Sequence, residues 1–182
     1  MSPTAQAVDA LLAALAPPAD PELVGTPERV AALWQENLLA GYALDPKDVL
    51  AETMADDSGA IVTLTDIPFH CMCPHHLVPA LGRVHLAYEP GGVVVGLGAL
   101  EKLVFALSRR LVLQERLTRQ IVDALMAHLG ARGAACAIEA SHLCLILRGR
   151  EPREARVHTR VFAGTLEGRT DVLPGITARS VG

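Results

Sequence analysis

Apolar positions recur along this chain in two periods, and the switches between them mark out its elements. Val8, Leu11, Leu12 and Leu15 fall on one helical stripe, which Pro17 and Pro18 bring to an end. Thr26-Pro27-Glu28-Arg29 is a helix-start signal: Thr26 as N-cap, proline at the first helical position, and an acid facing the positive end of the helix dipole. The helix it opens is expected to carry Val30, Leu33 and Trp34 inward and to stop near Gly41. Asp45-Pro46-Lys47-Asp48 opens a further turn, and Met54 to Gly59 reads as a polar loop. The period then shortens to two. Ile61 to Thr65 is β-branched and apolar, Arg83 to Tyr88 alternates, and Glu89-Pro90-Gly91-Gly92 turns the chain into Val93-Val94-Val95; these read as antiparallel strands. From Leu100 the spacing is helical again, through Leu103, Val104, Leu107 and Leu111, and a second helix through Leu117, Ile121, Ala124 and Leu125 ends near Gly130. Ala134 to Ala140, Leu143 to Leu147 and Val157 to Phe162 are strand-like.

This order of strand, strand, helix, helix, strand, strand behind a helical start predicts an α+β fold, an antiparallel sheet with two helices packed on one face. The division expected is an N-terminal helical region over 1–58, a catalytic domain over 59–165 and a C-terminal tail over 166–182. Gly168, Pro174 and Gly175 make the tail read as loop. The edges of so small a sheet need covering, and strand-to-strand association of copies is one way to cover them.

Composition excludes several classes. With 182 residues, 51% of them apolar, the chain can bury a real core without cross-links and is not a disordered segment. A net charge of -4 gives no general attraction for nucleic acid or an anionic membrane, so any anion site must be local. No apolar run approaches the ~20 residues that span a bilayer. No Lys or Arg precedes Arg29 and Asp9 interrupts the first apolar stretch, so a secretory leader is not expected and a cytoplasmic address is. In that reducing compartment Cys71, Cys73, Cys136 and Cys144 are poor disulfide candidates, and Cys136, among alanines, reads as a small core residue.

Two cysteines instead sit beside histidines. In Cys73-Pro74-His75-His76 the three-residue separation lets Cys73 and His76 converge across one turn and directs His75 elsewhere. Ser141-His142-Leu143-Cys144 lies far downstream in an apolar run. On a strand, His142, Cys144, Ile146 and Arg148 would share one face, so that Cys144 closes a three-ligand site with His142 beside it. Three protein ligands and a fourth position for water is the usual arrangement of catalytic zinc. A Cys71/Cys73 pair remains an alternative, since Cys-x-Cys also chelates. Taken singly, Glu115 is an ordinary helix-start acid, and His85 and His128 are sheet or surface residues.

Cys73-Pro74-His75-His76-Leu77-Val78-Pro79, Gly82-Arg83-Val84-His85, Ser108-Arg109-Arg110-Leu111, Gln114-Glu115-Arg116-Leu117-Thr118 and Ser141-His142-Leu143-Cys144 with Arg148-Gly149 closely resemble GTP cyclohydrolase I. Thr26-Pro27-Glu28-Arg29-Val30 and Gly41-Tyr42 resemble the N-terminal signature of the same family, so the likeness runs in order from about Thr26 to Gly164. The resemblance implies the tunnelling fold, a toroidal homo-oligomer, usually a decamer, and active sites at subunit junctions. It implies hydrolytic opening of the guanine imidazole ring of GTP, release of C8 as formate and closure to 7,8-dihydroneopterin triphosphate, the first step of pterin and tetrahydrofolate biosynthesis. By the same resemblance Cys73, His76 and Cys144 are the Zn2+ ligands, His75 and His142 move protons, and Glu115 with Gln114 anchors the guanine edge. Arg148, Lys102 and Arg29 match triphosphate contacts, Arg29 from a neighbouring subunit.

The sequence departs from the family at two places. Gly98-Ala99 stands where Ser-Lys is usual, removing a phosphate-binding lysine, and Pro74 replaces the glutamate between the cysteine and the first histidine. Two other readings therefore stand beside the first: a paralogue acting on a different or less phosphorylated purine, and a non-catalytic, zinc-stabilised oligomeric binding module.

Overall fold

The computed structural model describes residues 1–15, 20–148 and 155–173. In chain order its elements are α1 (Pro3–Leu15), α2 (Thr26–Leu33), α3 (Pro46–Val49), β1 (Thr53–Ala55), β2 (Val62–Met72), β3 (Pro79–Glu89), β4 (Val93–Val95), α4 (Leu97–Ser108), α5 (Gln114–Leu129), β5 (Gly133–His142), α6 (Leu143–Ile146) and β6 (Arg156–Gly164). Four strands form one antiparallel sheet in the order β2-β3-β5-β6. The α+β class and the two helices on one sheet face are as expected.

Alternation along the strands explains both faces. Val84, Leu86 and Tyr88 of β3, with Cys136 and Ile138 of β5, point at Leu100, Leu103 and Leu107 of α4 and Leu117, Ile121 and Leu125 of α5. The intervening residues Ala87, Ala135 and Ala137 are small and lie under Leu166, Val172 and Leu173, so the start of the tail covers the opposite face. Cys136 is fully buried, as a core residue should be.

Several expectations are corrected. Leu143 to Leu147 is not a strand: its residues form the single turn α6. The last pair of the β3–β5 ladder is Ala80 with His142, and before Pro79 the partner strand has already become the Cys73 turn, so nothing remains for those apolar residues to pair with. Val93–Val95 does not extend the main sheet. It pairs with Thr53–Ala55 in a separate two-stranded ladder, which takes Met54 and Ala55 out of the expected loop. α2 begins behind Gly25, whose φ of 73° makes it the N-cap in place of Thr26; the Thr26 hydroxyl instead accepts from Arg29. Leu33 is 49% exposed while Ala31 is buried, and on α1 Leu11 and Leu15 face outward.

One connection positions the site. The N–H of Met72 donates to the carbonyl of Arg110 at 3.1 Å, and the N–H of Val112 donates to the carbonyl of Met72 at 3.1 Å. The α4–α5 connection therefore clamps the end of β2 where the Cys73 turn begins. Gly41 packs against the same connection: a Cβ there would meet the Ala106 carbonyl at 2.5 Å, and the Arg110 guanidinium donates to the carbonyls of Gly41, Leu44 and Ala106. The Gly41-Tyr42 motif is thus a place where the N-terminal segment approaches α4 without room for a side chain.

Candidate metal centre and active site

Beyond β2 the chain reverses in a closed turn. The N–H of Leu77 donates to the Cys73 carbonyl at 2.9 Å, and the N–H of Cys73 donates to the Val78 carbonyl at 3.0 Å, with Leu77 in the left-handed region at φ 53°. The turn brings Cys73 Sγ to 3.6 Å from His76 Nδ1. Cys144 arrives from α6, carried there because His142 closes the ladder opposite Ala80. One donor atom each from Cys73, His76 and Cys144 lie within 4.8 Å of one another. Zinc–sulfur and zinc–nitrogen bonds of about 2.3 and 2.0 Å at tetrahedral angles put neighbouring donors roughly 3.5 Å apart, so this soft donor set fits that ion. Burial, then the contact with Cys73, pushes the Cys144 thiol up; a cation among the sulfurs reverses that preference by stabilising thiolate.

Cys71 lies outside this group, buried in the core between β2 and the helices. Burial, followed by the negative charge of Cys73, Cys144 and Glu115, pushes its thiol up to about 12. It behaves as a core thiol beside the cluster.

His142 stands next to the cluster with Nε2 at 2.8 Å from Gln114 Oε1. Burial lowers its pKa and the nearby Glu115 carboxylate opposes that shift, which favours the neutral imidazole. Gln114 is 1% exposed, and its amide nitrogen donates to the carbonyls of Ile138 and Val157 and to Thr159 Oγ1 at 3.0–3.1 Å. It stands behind His142, on no open surface. Glu115, the next residue, is exposed in the first turn of α5. Arg148 Nη1 lies 3.2 Å from His76 Nε2, and His75 is exposed, its ring 6.2 Å from that of His76 at 87°. One chain thus gathers Cys73, His75, His76, Gln114, Glu115, His142, Cys144 and Arg148. Arg29 is turned back on its own helix start, donating to the Val24 carbonyl and Thr26 Oγ1, and Lys102 is exposed on α4; among the described residues neither bonds to the cluster. Gly149, next to Arg148 in the motif, lies outside the described residues.

The sequence did not point to Thr118 and Thr159. Thr118 Oγ1 donates to the Gln114 carbonyl at 2.7 Å and lies 2.6 Å from Thr159 Oγ1. Thr118 carried a readable signal, four residues after Gln114 on a helix; Thr159 comes from another strand and carried none.

A family model described as GTP cyclohydrolase I matches residues 4–175. The chain belongs to the GTP cyclohydrolase I family. Among its relatives, the GTP cyclohydrolase 1 of Halalkalibacterium halodurans is 41% identical over 174 residues, covering 92% of each chain. That of Streptococcus mutans is 41% identical over 175 residues, covering 95% of this chain and 91% of the relative. That of Chromobacterium violaceum is 42% identical over 142 residues, covering 78% of this chain and 69% of the relative. Membership of the GTP cyclohydrolase I family matches the cluster's chemistry and carries the tunnelling fold with it. No helix among the described residues is long and apolar enough to cross a membrane.

Proposed function

We propose that this protein is a zinc-dependent GTP cyclohydrolase I that converts GTP to 7,8-dihydroneopterin triphosphate and formate, the first step of a cytoplasmic pterin and tetrahydrofolate pathway. The observation that carries the reading is the convergence of Cys73, His76 and Cys144 beside His142 in a chain of this family. Those three residues would hold the ion, which when bound supplies Lewis acidity and brings the pKa of water towards neutrality at the guanine C8. The rest falls to the chain's own groups. His142, kept neutral by burial, exchanges protons with the imidazole ring of the substrate as it opens, and His75, exposed on the metal turn, serves as the second proton carrier. The exposed Glu115 carboxylate accepts the paired N–H groups of the guanine edge, a stronger contact than a neutral acceptor makes. Gln114 supports this face from behind through its bond to His142. Arg148 takes the triphosphate beside the metal turn, and Lys102 and Arg29, which make no bond to the cluster of their own chain among the described residues, join it from neighbouring copies in a homo-oligomer, a decamer by family resemblance.

Ala99 favours one second reading, a paralogue taking a less phosphorylated purine, because the usual lysine at the phosphate end is missing. Zinc-loaded protein incubated with GTP, GMP and guanosine separates the two, with formate and the fluorescence of the oxidised pterin as readouts. Turnover of GTP in preference to the others is expected. Preference for GMP or guanosine would move the assignment to the paralogue, and stoichiometric zinc without turnover of any purine would leave a binding module.

A further inference from the structure

We propose that Gln114 is a positioning residue that fixes His142 in one tautomer, with the proton on Nε2 and the ring's lone pair on Nδ1. The proposal rests on the reading of His142 as a proton carrier and assigns which atom does the carrying.

The argument is a count of donors and acceptors. A glutamine side chain has an amide nitrogen with two N–H donors and a carbonyl oxygen that only accepts. The nitrogen of Gln114 faces three acceptors: the Ile138 carbonyl at 3.1 Å, the Val157 carbonyl at 3.0 Å and Thr159 Oγ1 at 3.1 Å. Reversing the amide would set its oxygen against two carbonyl oxygens in a site that is 1% exposed, where water cannot relieve the repulsion. The hydroxyls close the circuit in the same sense. Thr118 donates to the Gln114 backbone carbonyl at 2.7 Å, so across the 2.6 Å contact Thr159 must donate to Thr118, and Thr159 Oγ1 keeps a lone pair for the Gln114 amide. The two amide protons are shared among the three acceptors, and the amide has one orientation.

Oε1 of Gln114 then has to be the atom that meets His142 Nε2 at 2.8 Å. As a pure acceptor it requires a hydrogen on that nitrogen. In the neutral ring Nδ1 is left as the one lone pair, so the hydrogen bond on one side of the imidazole decides the chemistry of the other. Three elements, α5, β5 and β6, contribute to the circuit, and this spread gives the tautomer a fixed setting before substrate arrives.

Zinc-loaded protein carrying 15N only in histidine, studied as a sediment by solid-state NMR, tests the proposal. The chain has seven histidines, and His142→Ala assigns the signal. His142 is expected to show a protonated Nε2 and an unprotonated Nδ1. In Gln114→Met the two tautomers are expected to mix, kcat for formate release to fall about 100-fold, KM for GTP to change less than about twofold and zinc content to hold. Thr159→Val, which removes one amide acceptor and leaves Gln114 in place, is expected to keep the Nε2–H form with less than about a fivefold loss in kcat. A protonated Nδ1 in the unsubstituted protein overturns the proposal. So does a Gln114→Met protein whose His142 stays wholly in the Nε2–H form, or one in which KM rises at constant kcat, which would make Gln114 a substrate contact. Should Gln114→Met fail to fold, the unsubstituted protein and Thr159→Val still decide: loss of the Nε2–H form in either sinks it. The expected tautomer in a protein that releases no formate from GTP would keep this proposal and sink the cyclohydrolase reading instead.

Discussion

Cys144 and His142 stand two positions apart and are expected to fail in different ways. Cys144→Ala removes one of three donors, so zinc measured by plasma mass spectrometry should fall well below one per chain and formate release should vanish with it. His142→Ala leaves the donors intact, so zinc should stay stoichiometric while formate release drops by about 10²- to 10⁴-fold, the range of a lost proton-transfer group. Full activity in either variant defeats the assignment of that residue. Ala99 makes the opposite kind of test. It sits in the first turn of α4, its N–H bonded to the Gly96 carbonyl at 2.9 Å, at the point where the family usually has lysine. Restoring one charge-assisted phosphate contact by Ala99→Lys is worth roughly 1.5–3 kcal/mol, so KM for GTP should fall roughly 10- to 100-fold at little changed kcat. An unchanged KM would mean that the triphosphate is already held by other cations and that position 99 is not at its end of the site.

Elements show where local pattern carries information and where it does not. The helical period from Leu100 to Leu107 and from Leu117 to Leu125 marks α4 and α5 because each buries one stripe on the sheet, and burial of a stripe is a local pattern; Leu111, expected on the same stripe, lies beyond the end of α4 and is exposed. Leu143 to Leu147 is as apolar as a strand, yet a strand needs a partner, and the partner ends at Pro79; no local pattern reports that. The same limit hid the partner of the expected strand Val93–Val95, because Thr53–Ala55 lies 38 or more residues earlier in the chain. In the site, the approach of Cys73 to His76 was readable because a three-residue separation lets two side chains converge across one turn, whereas the Gln114–His142 bond joins α5 to β5 and leaves no mark on either segment. Gly41 is a residue whose meaning appears only at this scale. Its N–H donates to the Arg109 carbonyl at 3.1 Å and its carbonyl accepts from Arg110, so it ties the N-terminal segment to the connection that clamps Met72. Gly41→Ala would push a methyl into the backbone of α4, and a loss of about 1–3 kcal/mol in denaturant unfolding is expected, with weaker zinc retention because the Cys73 turn is released. Wild-type stability in that variant would show that the N-terminal segment does not support the site.

For the molecule as a whole, pH and assembly give the two remaining tests. His85 is buried on the sheet face opposite the helices, with Nδ1 accepting the Asp66 N–H at 3.3 Å, and burial lowers its pKa; Arg83 adds to that shift while Asp66 and Glu139 oppose it. The unfolded chain takes up a proton near the ordinary histidine value of about 6.5 while the folded chain resists, so stability is complete above that value and is lost as pH falls from it towards the lowered folded pKa. His85→Asn, which can still accept from Asp66, should flatten the fall in Tm between pH 7 and 5; an equal fall in both proteins would place the sensitivity elsewhere. The proposed assembly has open edges to use. Among the described residues β2 and β6 each pair on one side only, Pro68 in β2 suits an edge strand, and Leu11, Leu15 and Leu33 of the helical region are exposed. Arg29 and Lys102, two of the three expected phosphate contacts, make no bond to the Cys73–His76–Cys144 cluster of their own chain among the described residues, and the proposed shared site takes them from other copies. Light scattering after size-exclusion chromatography should give a large multiple of the 19.3 kDa chain, ten for a decamer. Mild dissociation should then abolish GTP turnover while each chain keeps its zinc, because the three donors and Arg148 belong to one chain while the proposed site draws Arg29 and Lys102 from others. A single chain that turns over GTP at full rate would end the shared-site reading.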